Sequence, residues 1–184
     1  MTQTLFKILL AACVALASLG GAGAAPVTGK PGVSSDQQGL HQWQVLNGKL
    51  ILINGSYQDV LVYKRSLTFY FEDKPGAEWL HVPIDDGAAG REFTWFSISQ
   101  GEKTVADAAV VARGGGIELV IAETKPYAPA PIAVRRYRLT EAGANDTDGP
   151  AYFFKKISAT AYPTRAGLTV EQVLEKEIAA KSRK

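Results

Sequence analysis

Short runs that alternate apolar and polar residues, cut by turn signals, constrain this chain more than any other feature. Leu61, Tyr63, Leu67, Phe69 and Phe71 keep one parity, while Lys64, Ser66 and Thr68 keep the other, with an interruption at Arg65. A period of two puts successive side chains on opposite faces of a strand, so this segment reads as a half-buried strand. Leu50-Ile51-Leu52-Ile53 is a short apolar run that stops at Asn54-Gly55, a strand followed by a strong turn dipeptide. Residues 79–84 alternate Leu80, Val82 and Ile84 against Trp79, His81 and Pro83, and the proline confines this run to an edge or ends its pairing. Residues 93–98, 117–122, 132–139 and 151–162 complete the set, the last two separated by the polar loop 141–150. About seven or eight such strands joined by local turns predict a mainly β domain, an antiparallel β-sandwich or barrel. No strand–helix–strand rhythm competes with that reading.

Two segments bear on helix. Residues 104–113 hold alanines, a Thr104/Asp107 pair able to cap a helix and a Gly114-Gly115-Gly116 stop, yet their valine-rich centre and glycine turn into Ile117 also suit a hairpin; the strand reading is preferred. Near the end of the chain, Thr169 with Gln172 three residues on forms a capping box, and Leu168 with Val173 a hydrophobic staple. Val170, Val173, Leu174 and Ile178 then share one face, which predicts a C-terminal α-helix over 169–180 packed on the sheet. Residues 25–40 are rich in Pro, Gly and small polar residues without apolar period and predict a flexible lead-in, so the domain is expected over 41–181.

The first two dozen residues point out of the cytoplasm. Lys7 precedes an apolar run over 8–19, followed by the small residues Gly20 to Ala24, the order read by export machinery and signal peptidase. The run is shorter than the roughly twenty residues a membrane span needs, so a cleavable signal peptide over 1–24 is expected, with no transmembrane span. Leu10-Ala11-Ala12-Cys13 offers a lipoprotein pattern and a lipid anchor at Cys13. The short distance from Lys7 and the continuation of the apolar run past Cys13 favour cleavage near Ala24 instead. The remaining chain lacks cysteine, which suits an oxidising periplasmic or secreted setting. With 20 Lys and Arg against 18 Asp and Glu, no charge bias toward nucleic acid or an anionic membrane follows.

Chemistry-bearing constellations are sparse. There are 2 histidines, His41 and His81. His81 precedes Asp85 and Asp86, and a carboxylate can orient an imidazole for general-base work, which keeps an envelope hydrolase using His81 with Asp85 or Asp86 as an alternative. No spaced second ligand supports zinc. Asp146-Thr147-Asp148-Gly149 fails the calcium-loop pattern, with Ala144 and Lys155 at its ends. Gly114-Gly115-Gly116 leads into a strand and not a helix N-terminus, so it is a turn and no phosphate cradle. No metal or cofactor is therefore expected, and the enzyme reading stays open but disfavoured. Arg136 and Arg138 share a strand face and could clamp a carboxylate or phosphate, or simply pair with acidic residues of neighbouring strands. In Phe69-Tyr70-Phe71 and Tyr152-Phe153-Phe154 both parities are aromatic, so one ring of each trio must face away from a one-sided core. Phe69, Tyr70, Phe71, Trp79, His81, Arg136, Arg138, Tyr152 and Phe154 are the candidate ligand- or partner-binding residues.

The order of Phe69-Tyr70-Phe71, Trp79 with Val82-Pro83-Ile84, Ala106-Asp107-Ala108, Val120-Ile121-Ala122-Glu123, Arg136-Tyr137-Arg138-Leu139 and Gly149-Pro150-Ala151-Tyr152 resembles that of exported carbapenem intrinsic-resistance (CarG-like) proteins. The resemblance spans about residues 60–175 and implies a β-rich periplasmic protein that protects by binding and is not a β-lactamase. It transfers no residue role. The expected function is thus a non-catalytic binding or protective protein for a small ligand or an envelope protein, with an inhibitory or accessory module as a further alternative.

Overall fold

A computed structural model describes residues 32–127, 129–145 and 148–180. The expected signal peptide 1–24, with Cys13 and Ala24, lies outside the described residues, as do Asp146 and Thr147 of the acidic loop and the tail from residue 181. The strands are β1 (Gly32–Ser34), β2 (Gly39–Val45), β3 (Gly48–Gln58), β4 (Val62–Glu72), β5 (Leu80–His81), β6 (Ile84–Asp85), β7 (Arg91–Glu92), β8 (Thr94–Gln100), β9 (Lys103–Arg113), β10 (Gly116–Glu123), β11 (Ile132–Glu141) and β12 (Tyr152–Tyr162), followed by the helix α1 (Val170–Ala179). Among the described residues no helix is long and apolar enough to cross a membrane.

All these strands join one sheet, in the order β2-β3-β4-β8-β9-β10-β11-β12-β6-β7, with β1 on β9 and β5 on β4. Pairing is antiparallel except between β6 and β12. The mainly β expectation and the terminal helix hold. The count of seven or eight strands in a sandwich or barrel does not: the described strands form a single 12-stranded sheet whose path has two ends. The run expected over 79–84 divides at Val82-Pro83 into two short strands, β5 and β6, and β1, β2 and β7 are further members; β1 and β7 span three and two residues, too few to show a period of two in sequence, and β2 begins inside the expected lead-in.

The sheet curls on itself. Phe69 of β4 and Phe154 of β12 stand far apart in strand order, yet their rings meet edge-on with centroids 4.8 Å apart, and Phe71 stacks on Tyr152 at 3.8 Å. Residues 80–85 run between these two strands. His81 opposes Tyr70 and Ile84 opposes Phe154; the Val82 amide donates to the Phe69 carbonyl at 2.9 Å, and the Phe154 amide donates to the Pro83 carbonyl at 2.8 Å. The concave face holds the main core, with Trp43, Leu50, Leu52, Leu67, Phe69, Phe71, Ile117, Leu119, Ile121 and Phe154 all buried. Each such side chain contributes about 1.5–3 kcal/mol by leaving water.

The convex face is covered over only part of its width. Ala109, Val111, Val120, Ala122, Ile132 and Val134 of β9–β11 pack against Val170, Val173 and Leu174 of α1. Small alanines on β9 let the helix approach closely, and both faces of this strand are buried, which is why residues 104–113 form a strand. The expected capping box is present: the Thr169 side chain accepts from the Gln172 amide at 3.3 Å, and the Gln172 side chain accepts from the Thr169 amide at 3.1 Å.

The flexible lead-in is corrected over its second half. Beyond Ile98↔Ala106 and Ser99↔Thr104, strands β8 and β9 diverge, and β1 fills the opening by pairing Val33 with Val110 and Ser34 with Ala109. Buried backbone groups on β9 need partners, and β1 supplies them. Val33 and Ser35 are consequently buried.

Candidate functional site

Where the helix does not reach, the convex face of β2, β3, β4 and β8 lies open. Register sets what it displays, because residues opposite one another share a face. One row across the four strands is Leu40, Ile53, Thr68 and Thr94; a neighbouring row is Gln42, Ile51 and Tyr70, continued by His81 of β5, in which Ile51 is buried; Gly55, Ser66 and Phe96 form a third. Thr68 and Thr94 hydrogen-bond through their hydroxyls at 3.0 Å. Around Tyr70 the rings cluster. His81 stacks on it with centroids 4.7 Å apart and planes 13° from parallel; Trp79 lies 6.0 Å away, and Phe93 approaches His81 at 5.2 Å. Trp79 is 43% exposed, Phe93 52%, Phe96 42%, Leu40 53% and Ile53 41%. Isolated exposed apolar residues are ordinary, whereas a contiguous set marks an interaction surface.

The nine candidates from sequence divide among three places. Tyr70, Trp79 and His81 meet on this open face. Phe69, Phe71 and Phe154 are buried on the concave side with Tyr152 beside them, and so belong to the core. In the second aromatic trio it is Phe153, opposite Thr140, that turns outward, and it lines a cleft of about 700 Å³ with Asp85, Asp86, Arg91, Lys155 and Lys156.

Arg136 and Arg138 lie on the convex side near the C-terminal end of α1. Glu118, buried on the neighbouring strand, accepts from Arg138 at 2.9 Å and Arg136 at 3.3 Å and stands 3.7 Å from Arg113. Arg136 also binds Glu177, whose other oxygen accepts from the Tyr162 hydroxyl at 2.6 Å. Burial pushes the Glu177 carboxyl up, but these hydrogen bonds and the charges of Arg136 and Arg113 outweigh it and hold the group below its ordinary value. Arg136 and Arg138 thus have internal carboxylates as partners, and Arg136, together with Arg113 donating to the Glu177 and Ile178 carbonyls, fastens the helix to the sheet.

His81 and the two aspartates part company. No hydrogen bond or ion pair joins them among the described residues; the imidazole is packed between aromatic rings. Asp86 instead accepts from the Tyr137 hydroxyl at 2.8 Å and from Lys156 at 2.9 Å, with Arg135 at 3.4 Å, and Arg135 in turn meets Glu123 at 2.5 Å. Burial raises the Asp86 carboxyl, yet these partners together bring it below its usual range, while burial and the Asp86 carboxylate drive the Tyr137 hydroxyl well up. An aspartate engaged by Tyr137, Lys156 and Arg135 and not bonded to His81 does not orient that imidazole.

Comparison with known proteins adds one likeness. No family model matches the chain, and no curated relative matches it. A solved structure described as the crystal structure of CarG superposes with a TM-score of 0.54 at 16% identity, over 74% of this chain and 94% of that one. The fold resembles that of CarG. At this identity the likeness to CarG concerns the path of the backbone and not the side chains of the open face.

Phe93, Phe96, Leu40 and Ile53 escaped the sequence reading as surface residues. A signal was available for Phe96, which shares its parity with Thr94 and opposes that of Trp95. For Leu40 and Ile53 none existed, because Leu40 fell in the expected lead-in and Ile53 at the end of a continuous apolar run.

Proposed function

We propose that this chain is an exported, non-catalytic protein that docks a protein partner of the cell envelope on the open face of β2, β3, β4 and β8 and protects by binding. The observation that carries the reading is the stacked and exposed cluster of Tyr70, Trp79, His81 and Phe93, continued by Phe96, Ile53 and Leu40. Aromatic anchors in a polar surround are what protein interfaces use, and a broad sheet face suits a protein more than a small ligand. The four clefts described for the molecule are lined by other residues. The resemblance to exported carbapenem intrinsic-resistance proteins and the CarG-like fold support protection by binding, and the apolar leader with its small-residue exit supports export.

The test pairs biological protection with fold integrity. A Tyr70→Ser/Phe93→Ser double variant is expected to lose carbapenem protection of a susceptible host and its crosslink to an envelope protein, while its thermal unfolding keeps one cooperative transition. Full protection by that variant sinks the reading. Purified protein incubated with a carbapenem is expected to leave the absorbance of the ring unchanged; turnover that disappears in His81→Asn would establish the hydrolase instead.

A further inference from the structure

The β3–β4 hairpin carries side chains that its own turn does not call for. Pairing runs out to Gln58↔Tyr63, the Asp59 amide donates to the Val62 carbonyl at 2.9 Å, and the Asp59 carboxylate accepts from the Val60 amide at 2.7 Å. Val60 and Leu61 are left at the tip. Two-residue hairpin tips favour Gly, Asn and Asp, often at positive φ. Neither tip residue has a positive φ here; among the described non-glycine residues that conformation belongs to Leu46. Val60 is 93% exposed and Leu61 80%, so neither contributes to the core, and a polar pair would close the turn as well. Departures from local turn chemistry without a folding gain point to work done outside the fold.

A second loop brings an aromatic ring to the same end. Tyr127, on the connection between β10 and β11, is 89% exposed and lines a cleft with residues 58–63 and with Gly101 of the β8–β9 turn. Basic residues flank this end. Lys103 opens β9, Lys125 stands two residues before Tyr127, and Lys64 opposes Tyr57 just inside the hairpin. The acidic residues nearby are Asp59, whose carboxylate is turned back onto its own turn, Glu102, and Glu171, which shares a cleft with Lys103 and is engaged by the Thr104 side chain. Net charge is close to neutral, so any attraction to anions here is local.

We infer that this end of the molecule docks on a bilayer containing anionic lipid, with Val60 and Leu61 entering the acyl boundary, Tyr127 at headgroup depth and Lys103 and Lys125 facing phosphates. Shape and charge choose the partner. A protruding aliphatic tip needs a matched pocket on a protein, whereas a fluid interface closes around any convex shape. Aliphatic tips, an interfacial tyrosine and flanking lysines are the combination that interface rewards. Two aliphatic side chains give weak, reversible attachment, with half-binding at roughly 0.1–1 mM lipid.

The full chain with Cys13→Ser and Leu61→Cys, labelled at residue 61 with nitrobenzoxadiazole, reports on the tip alone. Vesicles of phosphatidylcholine with roughly a third phosphatidylglycerol are expected to shift the label's emission to the blue, and acyl-brominated lipid to quench it. Adding Val60→Ser should weaken partitioning about tenfold, since burial of one such side chain is worth that factor. Lys103→Gln/Lys125→Gln should cost roughly tenfold or more on the anionic vesicles and little on pure phosphatidylcholine. These exposed substitutions should leave thermal unfolding in place. The inference is overturned if the chain fails to co-sediment at 1 mM lipid. It is equally overturned if the chain binds while the label keeps its aqueous emission, as attachment through the apolar residues 8–19 would give.

Discussion

If the sheet is curled as described, Phe69 and Phe154 must be energetically coupled although β4 and β12 lie far apart in strand order. Both rings are buried, at 1% and 0% exposure, and meet edge-on at 4.8 Å. Phe69→Leu and Phe154→Leu each keep an apolar side chain but lose ring contacts, and each is expected to cost about 1–2 kcal/mol. An edge-to-face pair is worth about 0.5–1.5 kcal/mol beyond the area it buries, so the double variant should be less destabilised than the sum of the singles by that amount. Urea unfolding of wild type, both singles and the double, followed by tryptophan fluorescence, measures the cycle. Slopes should stay constant, so that midpoints alone report the change. Additivity within about 0.3 kcal/mol would mean the two rings do not meet in solution, and the account of the core would fail with it.

Two further predictions bear on other parts of the fold. At Gly48 an added Cβ would stand 2.4 Å from the Glu72 carbonyl oxygen, 2.7 Å from the Phe71 ring and 2.9 Å from the Asp73 Cα, so Gly48→Ala should destabilise by about 1–3 kcal/mol in the same urea assay. The Glu177 carboxyl is held below its ordinary value near 4.5, so its contribution is fully present above that pH and is lost as pH falls through the lower folded value. Glu177→Gln should therefore be most destabilised relative to wild type near neutrality, with the gap closing on acidification below about pH 4.5; a gap constant from pH 6 to 3 would refute the role given to Arg136 and Tyr162.

Alternation and caps were the legible part of this chain. The parity of Leu67, Phe69 and Phe71 survives unchanged as the concave face of β4, and Thr169 with Gln172 starts the helix where the capping box says. The aromatic trios were read correctly in principle, since each does turn one ring outward. The choice of ring needed tertiary structure: Tyr70 sits opposite Ile51 and His81, and Phe153 opposite Thr140, facts of register that no single strand contains. Short strands were illegible for a simpler reason. Gly32–Ser34 pairs because β8 and β9 leave a gap, and the cause of that strand therefore lies seventy residues downstream of it. The arginines were ambiguous from sequence because a clamp and a cross-strand pair use the same chemistry, and Glu118 occupies the place a ligand would have taken.

The six residues from Leu80 to Asp85 behave as a buckle. One half is laced to β4 and the other to β12, and these bonds connect two strands whose other hydrogen-bonded neighbours differ. Hairpins elsewhere in the molecule close locally and early, whereas this fastening waits until both ends of the strap are in place. A protease that cut between Val82 and Pro83 would therefore do more harm than a nick in any outer turn: it would leave each hairpin intact and let the whole wrapped surface spring open.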